Sequence, residues 1–271
     1  MSDRRLTPAN GRVAAMHLAG QVTAERYLAG WPAMIGASVV DLCASPGGAR
    51  DRQLLLGAEV TVFEDRDEWS FVQAPDGYVG YVRSDQLTEV LVPSHFVATV
   101  GTHAYLEEDF KSPDLHRLPF GARMTVLNER RKFFETNLGF IPKSHLRGLD
   151  RPFSDPATVA QLHFGVPYLW GGNTTRGIDC SGLIAAALLA CGTPCPADSD
   201  MQCAALGHAF EGDYQRGDLL FWQGHVGMTV DAETMIHANA HHMATVYEPI
   251  ERAILRIKAQ GDGPVIARKR L

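Results

Sequence analysis

Five cysteines, Cys43, Cys180, Cys191, Cys195 and Cys203, supply the most reactive side chains of this sequence. Cys180 stands apart by its setting. It lies in Gly177-Ile178-Asp179-Cys180-Ser181-Gly182, directly before an apolar stretch, Ser181 to Cys191, that reads as a helix stopped by Gly192. A thiol attacks an amide as the thiolate. A helix start offers unpaired N–H groups and partial positive charge, and thiols so placed reach pKa values of about 3.5–7.5. The same N–H groups can receive a developing oxyanion. Gly171, Gly172 and Gly182 are expected to leave room for a substrate backbone.

A thiol nucleophile needs a base, and the base needs a group to orient it. His225, in Gly224-His225-Val226-Gly227-Met228, opens a predicted strand. His237, in Met235-Ile236-His237-Ala238-Asn239, lies in the next one. Side chains alternate along a strand, so the two rings share a face only if the intervening loop holds an odd number of residues. Three or five would make them diagonal neighbours. Asn239 or a backbone carbonyl is the alternative orienting group, and His241 and His242 read as a solvated loop. Cys191, Cys195, Cys203 and His208 contain no Cys-x-x-Cys pair, so no metal site is expected and no cofactor is implied.

Two kinds of element must hold these residues. From Val39 to Val82, short apolar runs alternate with turn residues, as in a small antiparallel barrel. A second copy follows. Leu54-Leu55-Leu56-Gly57-Ala58-Glu59-Val60-Thr61-Val62 parallels Leu118-Pro119-Phe120-Gly121-Ala122-Arg123-Met124-Thr125-Val126, and Gly80 to Leu87 parallels Gly139 to Leu146. The first copy is expected to begin near Gly36, behind a polar, partly helical lead-in. The segment Gly148 to Pro156 reads as a linker. Beyond it, a helix from Pro156 to Phe164, capped by Asp155, and the Cys180 helix precede predicted strands at Asp218–Trp222, Val226–Val230, Thr234–His237 and Ala253–Ile257. Each copy ends on Gly, an aromatic and an aliphatic residue, Gly80-Tyr81-Val82 and Gly139-Phe140-Ile141, which resembles the closing strand of bacterial SH3-like barrels. The expected fold is α+β: residues 1–92 hold the lead-in and first SH3-like barrel, 93–150 the second, and 151–271 the catalytic domain.

The chain has 271 residues and a net charge of -6. That charge argues against nucleic-acid partners and against tight binding to anionic wall polymers or membranes. No leader or membrane-spanning run is apparent, and the odd cysteine count is a poor disulfide framework, so the expected location is cytoplasmic.

Tyr168-Leu169-Trp170-Gly171-Gly172, Asp179-Cys180-Ser181-Gly182, Gly217-Asp218-Leu219, His225-Val226-Gly227 and Ile236-His237-Ala238 together resemble the NlpC-type family of papain-like cysteine peptidases, which cleave peptidoglycan stem peptides. The resemblance spans roughly residues 155–270. It implies Cys180 as nucleophile, His225 as base and His237 as third member. It implies Tyr168 beside the thiol, at the oxyanion site, and Asp179 and Ser181 in substrate binding. Trp170 is read as a core residue. Pro196-Ala197-Asp198 replaces a Pro-Arg-Asp found in many members. The first barrel resembles that of members acting on released cell-wall peptides, in which an acid and a tyrosine hold the free amine of an N-terminal L-alanine; Asp51 and Tyr78 occupy those positions. The implied substrate is a short muropeptide such as L-Ala-γ-D-Glu-meso-diaminopimelate. The alternatives are a wall-binding protein with an inert thiol domain, and a related thiol amidase or acyltransferase.

Overall fold

A computed structural model describes residues 3–271. It divides the chain into two compact units, one of residues up to Val97 with Gly101–Gly148, the other of Ala98–Val100 with Leu149–Leu271.

The first unit carries two barrels of the same strand succession. In the first, Trp31–Ile35, Val39–Cys43, Arg50–Leu55, Glu59–Arg66, Trp69–Gln73, Val79–Arg83 and Leu87–Thr88 form one seven-stranded sheet, with a 3-10 turn at Ser84–Gln86. In the second, the counterparts are His95–Val97, Gly101–Tyr105, Asp114–Pro119, Arg123–Met124 with Val126–Glu129, Phe133–Thr136, Gly139–Pro142 and Leu146–Gly148, with a 3-10 turn at Lys143–His145. The sequence repeat is a repeat of hydrogen bonds. Gly57 N–H donates to Ile35 O and Gly121 N–H to Val97 O, both at 2.9 Å, and the reciprocal bonds run from Ile35 to Ala58 and from Val97 to Ala122. Both glycines hold φ near +80°, a conformation that favours glycine, so the aligned Leu-x-x-Gly-Ala turns need that residue.

The barrel begins earlier than the sequence suggested. Trp31–Ile35 is already a barrel strand, pairing with Glu59–Val62. The lead-in has the expected helical turns, 3-10 at Arg4–Leu6 and Met16–Leu18, but is not polar throughout: Val13, Ala14 and Ala15 are buried, and Val13 and Ala15 pack on Phe63, Phe71 and Val79. Three residues are too few to show a period, and flanking charges mask them.

The second unit places helices against a six-stranded antiparallel sheet. Asp155 caps the helix Pro156–Gln161, accepting from Ala157 N–H at 3.0 Å, with proline at the first position. The apolar helix Cys180–Ala190 is capped by Asp179. The strands Leu219–Trp222, His225–Thr229 and Thr234–Asn239 follow as expected, then Ala244–Pro249. One expectation fails. Ala253–Ile257 is not a strand but part of the helix Ile250–Gln260. Ile250, Ala253 and Ile257 are buried at helical spacing, and they pack on Leu220, Trp222 and Met235. A five-residue window held too little of that period to reveal it. No helix among the described residues is long and apolar enough to cross a membrane.

Candidate active site

The Cys180 helix packs on the strands bearing His225 and His237. Asp179 braces its start: its carboxylate accepts from Gly182 N–H at 2.7 Å, Gly171 N–H at 2.8 Å and the Ser181 hydroxyl at 3.1 Å. Asp179 and Ser181 thus knit the Gly171 loop to the helix. Gly172 and Gly182 let neighbouring segments of this chain approach closely. A Cβ on Gly182 would lie 2.4 Å from Asn173 Oδ1 and 2.5 Å from Gly172 O. Trp170, expected in the core, is 70% exposed. It directly precedes the loop that Asp179 pins, so the chain turns it outward.

Cys180 is 7% exposed, and its sulfur lies 3.9 Å from Gly224 O, at the residue before His225. His225 follows a tight turn from Trp222, whose ring lies against the imidazole at 5.6 Å between centroids. The register of the next hairpin decides the rest. Met228 faces Ile236 and Thr229 faces Met235, while Val230 N–H donates to Thr234 O at 2.8 Å. That last bond leaves Asp231, Ala232 and Glu233 as a three-residue loop, the odd number that parity demands. Continued along the strands, the register sets Gly227 opposite His237 and makes His225 and His237 diagonal neighbours. Their rings meet through His225 Nε2 and His237 Nδ1 at 2.9 Å. Space at Gly227 is tight: a Cβ would stand 1.9 Å from Met235 Cε and 3.2 Å from His237 Cβ.

His237 is wholly buried, and its Nε2 lies 3.1 Å from Glu248 Oε2. Arg256 grips Glu248 through both oxygens, at 2.9 and 2.7 Å. Burial alone would raise the Glu248 carboxyl, but the hydrogen bonds from Arg256 and His237 hold it well below the carboxylate range. Burial, then His237, pushes His225 down to about 3, and burial likewise lowers His237. Burial, with the Asp179 charge behind it, pushes the Cys180 thiol up to about 12. The helix start was expected to favour thiolate. In this closed site burial wins, and the carboxylate at the same helix end opposes the helix field. Burial thus favours the protonated thiol and the neutral imidazole. Tyr168 is half-buried, and its hydroxyl is raised by burial and then by Cys180 and Asp179, which places it in the same electrostatic neighbourhood.

Residues 165–256 match the NlpC/P60 family, and residues 42–87 match the bacterial dipeptidyl-peptidase SH3 domain. The chain is 30% identical over 216 residues to the gamma-D-glutamyl-L-lysine dipeptidyl-peptidase of Bacillus subtilis (strain 168), covering 69% of this chain and 71% of that one. It is 27% identical over 224 residues to the protein of the same name from Bacillus cereus, covering 69% and 67%. The crystal structure of an NlpC/P60 family protein from Bacillus cereus ATCC 10987 superposes with a TM-score of 0.74 at 21% identity, over 89% of this chain and 99% of that one. This chain belongs to the NlpC/P60 family. It is a cysteine peptidase, with a papain-like domain behind N-terminal SH3 domains.

Within this NlpC/P60 domain, sequence reasoning missed Glu248 and Arg256. The signal was present but misassigned: Arg256 sits in the segment read as a strand, where it could not have reached back eight residues to Glu248. Among the described residues, no three His, Cys, Asp or Glu side chains cluster so as to hold a metal ion. The two barrel residues lie in the first unit. Asp51 is paired with Arg4 at 3.0 Å, its side chain 17% exposed. Tyr78 is buried under the Arg52 guanidinium, which itself pairs with Asp76.

Proposed function

We propose that this peptidase hydrolyses the γ-D-glutamyl to diamino-acid bond of short cell-wall peptides bearing a free N-terminal L-alanine. The observation that carries the reading is the assembly of Cys180 at a helix start with the His225–His237 pair. The names of the Bacillus relatives supply the bond. With a neutral resting pair, His225 acts as general base: it takes the thiol proton as sulfur attacks the carbonyl. The C–N bond then breaks, and His225 returns the proton to the leaving amine. Water, deprotonated by the same ring, cleaves the thioester and frees the thiol. N–H groups at the helix start and the Tyr168 hydroxyl face the oxyanion.

Asp51 and Tyr78 receive the substrate's ammonium, which restricts the enzyme to released peptides. A net charge of -6 disfavours adhesion to anionic wall polymers, and fits recycling of wall fragments in the cytoplasm. The test is mass spectrometry of a mixed muropeptide pool after incubation. Release of the L-Ala-D-Glu dipeptide from free peptides, with sugar-linked peptides left intact, is the expected result. Cleavage elsewhere, or none, overturns it. Cell fractionation tests the location.

A further inference from the structure

The buried path behind His237 has no role in the reaction as written above. His225, His237 and Glu248 step diagonally across three neighbouring strands. Met235 faces Glu248 and His237 faces Val246, so Glu248 stands one diagonal beyond His237, on the same face. Arg256 closes the path from the helix Ile250–Gln260. We propose that Glu248, fixed by Arg256, is a positioning residue that sets the tautomers of both histidines, and so selects Nδ1 of His225 as the base.

A carboxylate only accepts, so His237 Nε2, 3.1 Å from Glu248 Oε2, carries a hydrogen. His237 is wholly buried, which favours the neutral ring, and a neutral imidazole has one N–H. Its Nδ1 is therefore a lone pair. His225 Nε2, 2.9 Å away, must donate to it. A neutral His225 with hydrogen on Nε2 has its free lone pair on Nδ1, the nitrogen left for the thiol. One carboxylate thus assigns the protons of two imidazoles in series. The groups facing His237 are His225 from one strand, Glu248 from the other, Arg256 from the helix, and His242, whose ring is tied to Asn239 Oδ1 at 3.0 Å. Of these, only Glu248 is an obligate acceptor. Burial and Arg256 act against protonation of either ring, and Glu248 acts in its favour at both, so the imidazolium formed as His225 takes the thiol proton is opposed by one charge that the carboxylate answers.

The inference rests on Cys180 and His225 being the reacting pair, and its test separates the two. Glu248→Gln keeps the shape but replaces one acceptor oxygen with a donor. The Arg256 fork needs both oxygens, and His237 needs one of the same two, so the amide sets donor against donor. Removing the fork as well, in Glu248→Gln with Arg256→Leu, frees the amide to turn its oxygen to His237. The readouts are imidazole ¹⁵N shifts, which report the tautomer without substrate, and kcat and KM on a free tripeptide. In the wild type His225 should carry its proton on Nε2. Glu248→Gln should mix its tautomers and lower kcat about 10–100-fold, KM holding within about twofold, as when an imidazole is left in the wrong tautomer. The double variant should restore one tautomer and at least about tenfold of the lost kcat. A wild-type His225 protonated on Nδ1, unchanged kcat in Glu248→Gln, or no rescue in a folded double variant would each overturn the proposal. If Glu248→Gln does not fold, the wild-type spectrum and the double variant, which has no unpaired arginine, still decide. Failure of the proposed reaction would show separately, as undiminished turnover in Cys180→Ala.

Discussion

Each unit of this chain buries one glutamate against an arginine. Glu64 in the first barrel and Glu248 in the peptidase unit are 7% and 5% exposed. Arg12 grips Glu64 at 3.0 and 2.6 Å, much as Arg256 grips Glu248. The difference is the third partner. Glu64 accepts its remaining bond from Asn10, so all its capacity fastens the lead-in segment to the barrel. Glu248 gives its remaining contact to His237, and through it to His225. Burial and ion pairing are alike in the two. What makes one carboxylate a clamp and the other part of a reaction path is the strand register that puts a histidine within reach.

The comparison breaks first at the nucleophile. Cys180→Ala should lower kcat/KM by about 10³-fold or more while leaving the melting temperature near that of the wild type, since it removes one sulfur at a helix start. Enzyme purified free of wild type and still turning over would end the cysteine-peptidase assignment for this site. Next comes the register itself. Gly227→Ala puts a methyl against Met235 and His237 Cβ and removes no hydrogen-bonding group. Met235 has a flexible end and can yield, but the His237 backbone position cannot move freely within a paired strand. The expected result is a loss of about 1–3 kcal/mol in stability and a fall in kcat of the order of tens of fold, because a small displacement misplaces the His225 ring. A variant equally unstable but fully active at low temperature would show that the His225–His237 distance does not matter.

The sequence revealed the reacting end of this path and concealed its far end. Cys180 was legible because the helix behind it is apolar throughout and bounded by Asp179 and Gly192. His225 and His237 were legible through the family resemblance of the blocks that carry them; strand parity only allowed the pair if the loop was odd, and the three-residue loop meets that condition. Glu248 was not, because its partner lies on a helix whose burial pattern spans eight residues, Ile250 to Ile257, while the reading took only five. The buried lead-in strand failed for the converse reason: Val13–Ala15 is too short to carry any period. The aligned glycine turns, Gly57 and Gly121, were legible because a positive φ restricts residue type wherever it recurs.

The clamp in the first barrel should affect stability alone. Glu64→Ala leaves Arg12 without its carboxylate, but the Arg12 side chain is 38% exposed and can rehydrate, so the loss should be about 1–3 kcal/mol, with kcat within about twofold of wild type. Acid should expose the same clamp. For Glu64, the Arg12 hydrogen bond outweighs burial and holds its carboxyl below the ordinary 4.5. The unfolded chain therefore binds more protons as the pH falls below 4.5, and the stability gained from the lowered value is lost progressively. Glu248 behaves in the same sense. Urea midpoints measured at pH 7 and near pH 4 should fall for the wild type, and fall less for Glu64→Ala, which has already given up the Glu64 contribution. An equal fall in both would assign the acid sensitivity elsewhere.

The smallest effect is expected at Asp51, where the comparison is most finely drawn. Its carboxylate is 17% exposed and already has a cation, Arg4, whose side chain is 56% exposed. On the proposed reading, a substrate ammonium at Asp51 must displace a solvated arginine rather than relieve a bare charge. An unpaired buried carboxylate would make the amine worth several kcal/mol, whereas exchange of one exposed cation for another leaves a difference of about 1 kcal/mol, or a few-fold in rate. The measurement is the ratio of kcat/KM for free L-Ala-γ-D-Glu-diaminopimelate to that for its N-acetylated form. Wild type should prefer the free peptide, Asp51→Ala should reduce that preference a few-fold, and Arg4→Ala should increase it by removing the competitor. If Asp51→Ala changes nothing while wild type still discriminates, the amine is held by another group. If Arg4→Ala lowers the preference instead, Arg4 positions the Asp51 carboxylate rather than competing for it. In that case the pair resembles Glu248 with Arg256, an arginine holding an acid in place for a third partner, more closely than it resembles the Glu64 clamp.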